Sequence, residues 1–100
     1  MDIRAMQYYL AVVREGTISG AAEALHVAQP SLSRQMMELE RELGKRLFLR
    51  TNKKTLLTED GLRLKGRARE ILALVERTAA ELRTIPEEIR GNVCFGAGET

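Results

Sequence analysis

Residues 28–43 read AQPSLSRQMMELEREL, and within them Leu32, Met36, Leu39 and Leu43 recur at spacings of four, three and four. That is the stripe of a helix with one buried face. At about 100° per residue, Pro30, Arg34, Met37 and Arg41 point away from the stripe, with Ser31 and Ser33 on its flanks. Pro30 fits the first helical position, where its missing N–H costs nothing. The helix thus offers glutamine, serine and arginine near its N-terminus, where its own apolar face cannot cover them. Those groups need water or an external partner.

Upstream, Ile3, Met6, Leu10 and Val13 recur at helical spacing and Gly16 supplies a left-handed stop, which predicts a helix over roughly residues 2–15. Thr17 or Ser19 then caps a short second helix running through Leu25. Its small residues Gly20, Ala21, Ala22 and Ala24 admit close approach by another helix, and His26 and Val27 form a tight turn. Histidine tolerates positive φ better than most residues. Downstream, Gly44 ends the third helix. Leu47 to Arg50 and Thr55 to Leu57 flank a polar Asn52-Lys53-Lys54 turn, which reads as a small hairpin.

Thr58 caps a long helix, with Glu59 and Asp60 well placed against its N-terminal dipole. Ala68, Leu72, Val75, Ala79 and Leu82 follow spacings of four, three, four and three, a heptad seam flanked by Ile71, Leu74 and Ile85. Extended backward, the seam meets Lys65 and Gly61, so the first turns are expected to pack on the globular part through Leu62 and Leu64. An exposed apolar stripe is a liability unless another helix covers it, and a second copy of the chain is the simplest cover. Pro86 interrupts the pattern, Gly91 breaks it, and Asn92 to Phe95 alternate like the start of a strand.

The totals narrow the class. One hundred residues with 44% apolar content allow one modest core, for which a partner subunit would help. The longest apolar run, YYLAVV, is far short of a membrane span. MDIRAM lacks the features of a secretory signal, and the single cysteine, Cys94, cannot form an internal disulfide. A cytosolic protein is expected. The net charge of +2 is unevenly spread: residues 29–56 carry +4, while 1–28 and 57–100 carry −1 each. The excess comes from Arg34, Arg41, Lys45, Arg46, Arg50, Lys53 and Lys54, the local footprint expected for a polyanion partner.

Two short helices joined by a tight turn, the second opening on small polar groups and an arginine, describe a helix-turn-helix. Serine, glutamine and arginine at such a tip match base edges and phosphates in a DNA major groove, and a basic hairpin beside it makes a wing. The stretches AAEALHVAQPSLSRQ, LERELGKRLFLRT and LTEDG, in this order and spacing, resemble the N-terminal part of LysR-type transcriptional regulators. The resemblance covers residues 1 to about 90. It implies a mainly α winged helix-turn-helix of three helices and a small hairpin wing over 1–58. A linker and dimerisation helix with hinge over 59–90 and the first strand of a truncated effector-binding domain over 91–100 complete it.

The resemblance further implies a nucleoid-associated regulator binding promoter or operator DNA as a homodimer, or as a tetramer at full length. Gln29, Pro30, Ser31, Ser33 and Arg34 match the groove-entering start of the recognition helix, and Arg50, Thr51, Lys53 and Lys54 match the wing and its approach. A small-molecule co-inducer would act only through the missing domain, and no other cofactor is implied. Departures exist: the positions of Met37 and Glu38 are often basic in the family, which weakens phosphate attraction here, and many helix-turn-helix proteins have glycine where His26 sits.

Plainer readings stand beside these. Arg34 can pair with Glu38 one turn later, Ser31 and Ser33 can simply favour helix initiation, and Arg50 can brace the wing internally. Cys94 reads as a core residue of the missing domain. His26, the only histidine, has no acid or metal ligand at useful spacing, and Ser31 and Ser33 have no other candidate base, so an enzyme is the weakest class. The alternative from another class is a helical homodimeric protein-interaction module without DNA binding.

Overall fold

The computed structural model describes residues 1–49 and 54–84. Within them the chain forms α1 (Ile3–Glu15), α2 (Ile18–Leu25), α3 (Gln29–Leu43), β1 (Phe48–Leu49), β2 (Leu56–Leu57) and α4 (Glu59–Arg83). The readings of Ile85, Pro86, Gly91, Cys94 and the strand start at 92–95 lie outside the described residues.

Local chemistry sets most boundaries. The Asp2 carboxylate accepts from the Ala5 amide at 2.8 Å to open α1, and Gly16 closes it at φ 81°. Thr17 opens α2 by accepting from the Gly20 amide at 2.9 Å. His26 closes that helix at φ 59°, the one non-glycine residue with positive φ among the described residues. This is the conformation expected of a turn histidine. α3 begins one residue earlier than the proline suggests, with Pro30 in its second position and Ala28 as an N-cap that has no side-chain hydrogen bond. Gly44 ends α3 at φ 68°.

α1 is the centre of the core, packed by α2, α3 and α4. Its buried face is Met6, Tyr9, Ala11 and Val12, whereas Ile3 is exposed and Leu10 and Val13 are only partly buried. The expected Ile3–Met6–Leu10–Val13 stripe is therefore rotated, because the helix is covered on more than one side and because Tyr9 goes inside. Tyr9 is 0% exposed; its hydroxyl donates to the Gly61 carbonyl at 2.6 Å, which satisfies the polar tip. Leu32, Met36 and Leu39 of α3 are buried as their spacing implies, while Leu43 at the end of the stripe is exposed.

The hairpin pairs Phe48 with Leu57 and Leu49 with Leu56, antiparallel. Behind it, Leu47 is buried and the Phe48 ring lies 5.5 Å from the Tyr9 ring. α4 starts against this base. Thr58 accepts from the Gly61 amide at 3.0 Å and donates to the Arg46 carbonyl at 2.6 Å. Gly61 is buried so closely on β1's approach that a Cβ there would stand 2.3 Å from the Leu47 carbonyl oxygen.

Two expectations about α4 need correction. Leu62 is 57% exposed and does not pack on the globular part; Gly61 makes the close approach, and Leu64 packs beside it. Ala68, assigned to the seam between subunits, is 0% exposed within its own chain. Leu72 also packs partly against that core. The first half of the seam is thus spent inside the protomer, because α1 lies along it. Beyond Leu72 the helix leaves the body and Leu74, Val75 and Leu82 are exposed. The molecule is elongated, 59 × 27 × 18 Å.

Candidate nucleic-acid interface

The first two turns of α3 hold the largest group of sequence-selected residues. Gln29, Pro30 and Arg34 are exposed, and Ser31 and Ser33 are partly exposed. Burial of Leu32, Met36 and Leu39 fixes the rotation of the helix and so turns these groups outward. The pairing of Arg34 with Glu38 is not formed: the ion pairs among the described residues leave Arg34, Arg41 and Lys45 without a carboxylate partner. The first helical hydrogen bond of α3 runs from the Leu32 amide to the Ala28 carbonyl at 3.1 Å. The amides of Gln29 and Ser31 therefore sit outside the helix ladder, and no side chain caps them. This tip carries the positive end of the helix dipole as well as the arginine.

Beside the tip, an open cleft of about 270 Å³ separates α3 from the hairpin. Ser33, Met37 and Glu40 line it from α3, Leu49, Lys54 and Thr55 from the hairpin side, and Ile18 from α2. The structure thus brings Ser33 and Lys54, 21 positions apart in sequence, to one cleft. Arg50, Thr51 and Lys53, the other residues assigned to the wing, lie outside the described residues. Met37, on the outward face, is 54% exposed.

Sequence reasoning missed the framework of this surface. Glu40 is 17% exposed, and its Oε2 accepts from the amides of Leu47 at 2.8 Å and Phe48 at 3.2 Å, with Arg46 Nε at 3.9 Å. The Thr55 amide donates to the Gly16 carbonyl at 2.8 Å, tying the hairpin to the turn before α2. The one available signal was a glutamate adjoining the buried stripe one turn before the helix stop at Gly44. Among the described residues, Tyr9 is the one group whose ionisation is clearly displaced. Burial, with a smaller push from the Glu40 charge, raises its pKa to about 12, so it stays a neutral donor to Gly61.

Among the described residues no cluster of histidine, cysteine, aspartate or glutamate could hold a metal ion. No helix among them is long and apolar enough to cross a membrane.

A family model described as bacterial regulatory helix-turn-helix protein, lysR family, matches residues 3–62. The chain belongs to the LysR family. Among its relatives are the HTH-type transcriptional regulator BsdA of Bacillus subtilis (strain 168), 43% identical over 97% of this chain and 34% of that protein, and the nitrogen assimilation regulatory protein nac of Klebsiella aerogenes, 36% identical over 96% of this chain and 32% of that protein. The chain spans about a third of the length of these curated relatives. These LysR-family relatives are transcriptional regulators, not enzymes.

Solved structures agree on architecture. The BenM DNA-binding domain in complex with catB site 1 DNA has a TM-score of 0.80 and 35% identity, covering 83% of this chain and 89% of that one. Full-length CbnR complexed with its target DNA has a TM-score of 0.79 and 38% identity, covering 83% of this chain and 29% of that one. The fold is the winged helix-turn-helix of LysR DNA-binding domains followed by a long helix, as the sequence implied.

Proposed function

We propose that this chain is the DNA-recognition part of a transcriptional regulator, inserting the start of α3 into the major groove of promoter or operator DNA while the hairpin meets the neighbouring backbone. The observation that carries the reading is the tip of α3. Gln29, Pro30, Ser31, Ser33 and Arg34 converge on an accessible helix end with open amides, and Arg34 has no acidic partner among the described residues. Arg34 reads a base edge, Gln29 and the serines supply further base or phosphate contacts, and Pro30 offers an apolar surface to a thymine methyl. Lys54, with Arg50, Thr51 and Lys53, serves the wing. The resemblance to DNA complexes of BenM and CbnR supports this assignment.

Two copies pair through the exposed half of α4, using Val75, Ala79 and Leu82 with Leu74 beside them, and so place two recognition helices on one duplex. The exposed leucines and valine support that role. Residues 1–58 then form the reading head and α4 the arm that spaces it, in a cytoplasmic protein working at the nucleoid. Higher oligomers and a small-molecule co-inducer belong to the full-length protein.

The test is binding by wild type and Arg34→Ala to a duplex selected from a random pool and to unselected duplex. A bidentate base contact predicts a loss of about 1–3 kcal/mol on the selected site alone, with relaxed base preference. Equal loss on both duplexes would make Arg34 a phosphate anchor. Indifference of the wild-type chain to any duplex at low salt would favour a protein-interaction module instead.

A further inference from the structure

We infer that Glu40 is a positioning residue that ties the hairpin to the recognition helix, so that both surfaces meet DNA in one fixed relation; this rests on the DNA-binding reading above. Four backbone amides converge on this one residue. Its main-chain carbonyl accepts from Gly44 at 2.8 Å and Lys45 at 3.2 Å. Its carboxylate accepts from Leu47 at 2.8 Å and Phe48 at 3.2 Å. Glu40 therefore folds the connection between α3 and β1 back on α3, and the two bonds to its carboxylate are charge-assisted, the stronger kind.

The hairpin needs such a tie. Its strands are two residues each, with Leu49 and Leu56 exposed, and an isolated two-stranded ribbon is marginal in water. Its orientation is consequently set at its base. The entry to β2 is fastened by the Thr55 amide to the Gly16 carbonyl at 2.8 Å, and Glu40 is the matching fastening for the entry to β1. One side of the hairpin is thus bonded to the turn between α1 and α2 and the other to α3.

The charge of Glu40 argues for the same role. It lines the cleft shared by Ser33 and Lys54, where a carboxylate would repel an approaching phosphate backbone. As a bystander it would lower affinity, and neutralising it would tighten binding. As a positioning residue it does more good through the two amides than harm through its charge. The two roles predict opposite signs.

The experiment compares the wild-type chain with Glu40→Ala and Glu40→Gln in salt-dependent binding to the selected duplex, alongside hydrogen exchange of the Leu47 and Phe48 amides. Positioning predicts that Glu40→Ala speeds exchange at both amides, weakens binding roughly tenfold and flattens the salt slope by about one unit, one lost phosphate contact. Glu40→Gln keeps an acceptor oxygen and stays within about threefold of wild type without exceeding it. Should Glu40→Ala fail to fold, Glu40→Gln decides, since tighter binding than wild type would mean a bystander charge and overturn the proposal. Accelerated exchange in a Glu40→Ala chain that binds as well as wild type, or unchanged exchange, would overturn it too. A wild-type chain that binds no duplex sinks the DNA reading and this one with it, whereas failure only in the variants sinks this one alone.

Discussion

Replacing Gly61 with alanine tests the junction that holds α4 on the globular part. A Cβ there would stand 2.3 Å from the Leu47 carbonyl oxygen and 3.2 Å from both the Leu47 carbonyl carbon and the Leu57 Cβ. The first contact is with backbone, so relief requires α4 and β1 to separate by about 1 Å, to ordinary contact distance. That movement stretches the Tyr9 hydroxyl bond to the Gly61 carbonyl, now 2.6 Å, and the Thr58 amide bond to the Leu47 carbonyl, now 3.0 Å. Two bonds weakened at about 1 kcal/mol each, plus packing strain of about 1 kcal/mol, exceed the roughly 1 kcal/mol that alanine gains over glycine in a helix. The net expectation is about 2 kcal/mol of destabilisation, or a Tm lower by roughly 10 °C for a domain of this size. Gly66 is the internal control. It lies in the same helix with nothing within 4 Å of a built Cβ, so Gly66→Ala should stabilise by about 0.5–1 kcal/mol. Thermal and urea melts at one protein concentration, needed because association raises apparent stability, give both values. Equal stabilisation by the two substitutions would refute the close-approach argument.

Tyr9→Phe removes the buried bond to Gly61 and should cost about 1 kcal/mol at neutral pH. Because folding raises the Tyr9 pKa from 10.0 to about 12, the folded state holds that proton more tightly than the unfolded state does. Its contribution is whole below pH 10 and is lost as pH rises from 10 toward 12. Urea midpoints at pH 7 and pH 11 should therefore converge between wild type and Tyr9→Phe, and parallel losses would refute the assignment. Thr58→Ala loses the cap on Gly61 and the bond to the Arg46 carbonyl, an expected cost of about 1–2 kcal/mol, and a melt unchanged within 0.5 kcal/mol, roughly the scatter of an inert surface change, would contradict it. Val75→Asp with Leu82→Asp should weaken self-association by roughly a hundredfold or more, since each carboxylate would be desolvated in a paired helix. Sedimentation equilibrium reads this directly, and a persistent dimer would remove α4 from the pairing role.

What the sequence determined by itself was chiefly local. Thr17 and Thr58 cap α2 and α4, and Gly16, His26 and Gly44 close α1, α2 and α3, because capping and left-handed stops depend on residues a few positions apart. The spacing of Leu32, Met36 and Leu39 likewise fixed which side of α3 faces out, and with it the exposed group from Gln29 to Arg34. Tertiary structure decided what lies far apart in the chain. Only the packing of α4 along α1 turns Ala68 from a seam residue into a core residue and leaves Leu62 in solvent. Periodicity marks an apolar face but not which neighbour covers it. Tyr9 reached the interior because Gly61, 52 positions away, offers its carbonyl. Glu40 became the anchor of the hairpin because the chain folds Leu47 and Phe48 back over it. A hydrogen bond of that kind depends on where the backbone returns, and no pattern of residue types along a helix records it.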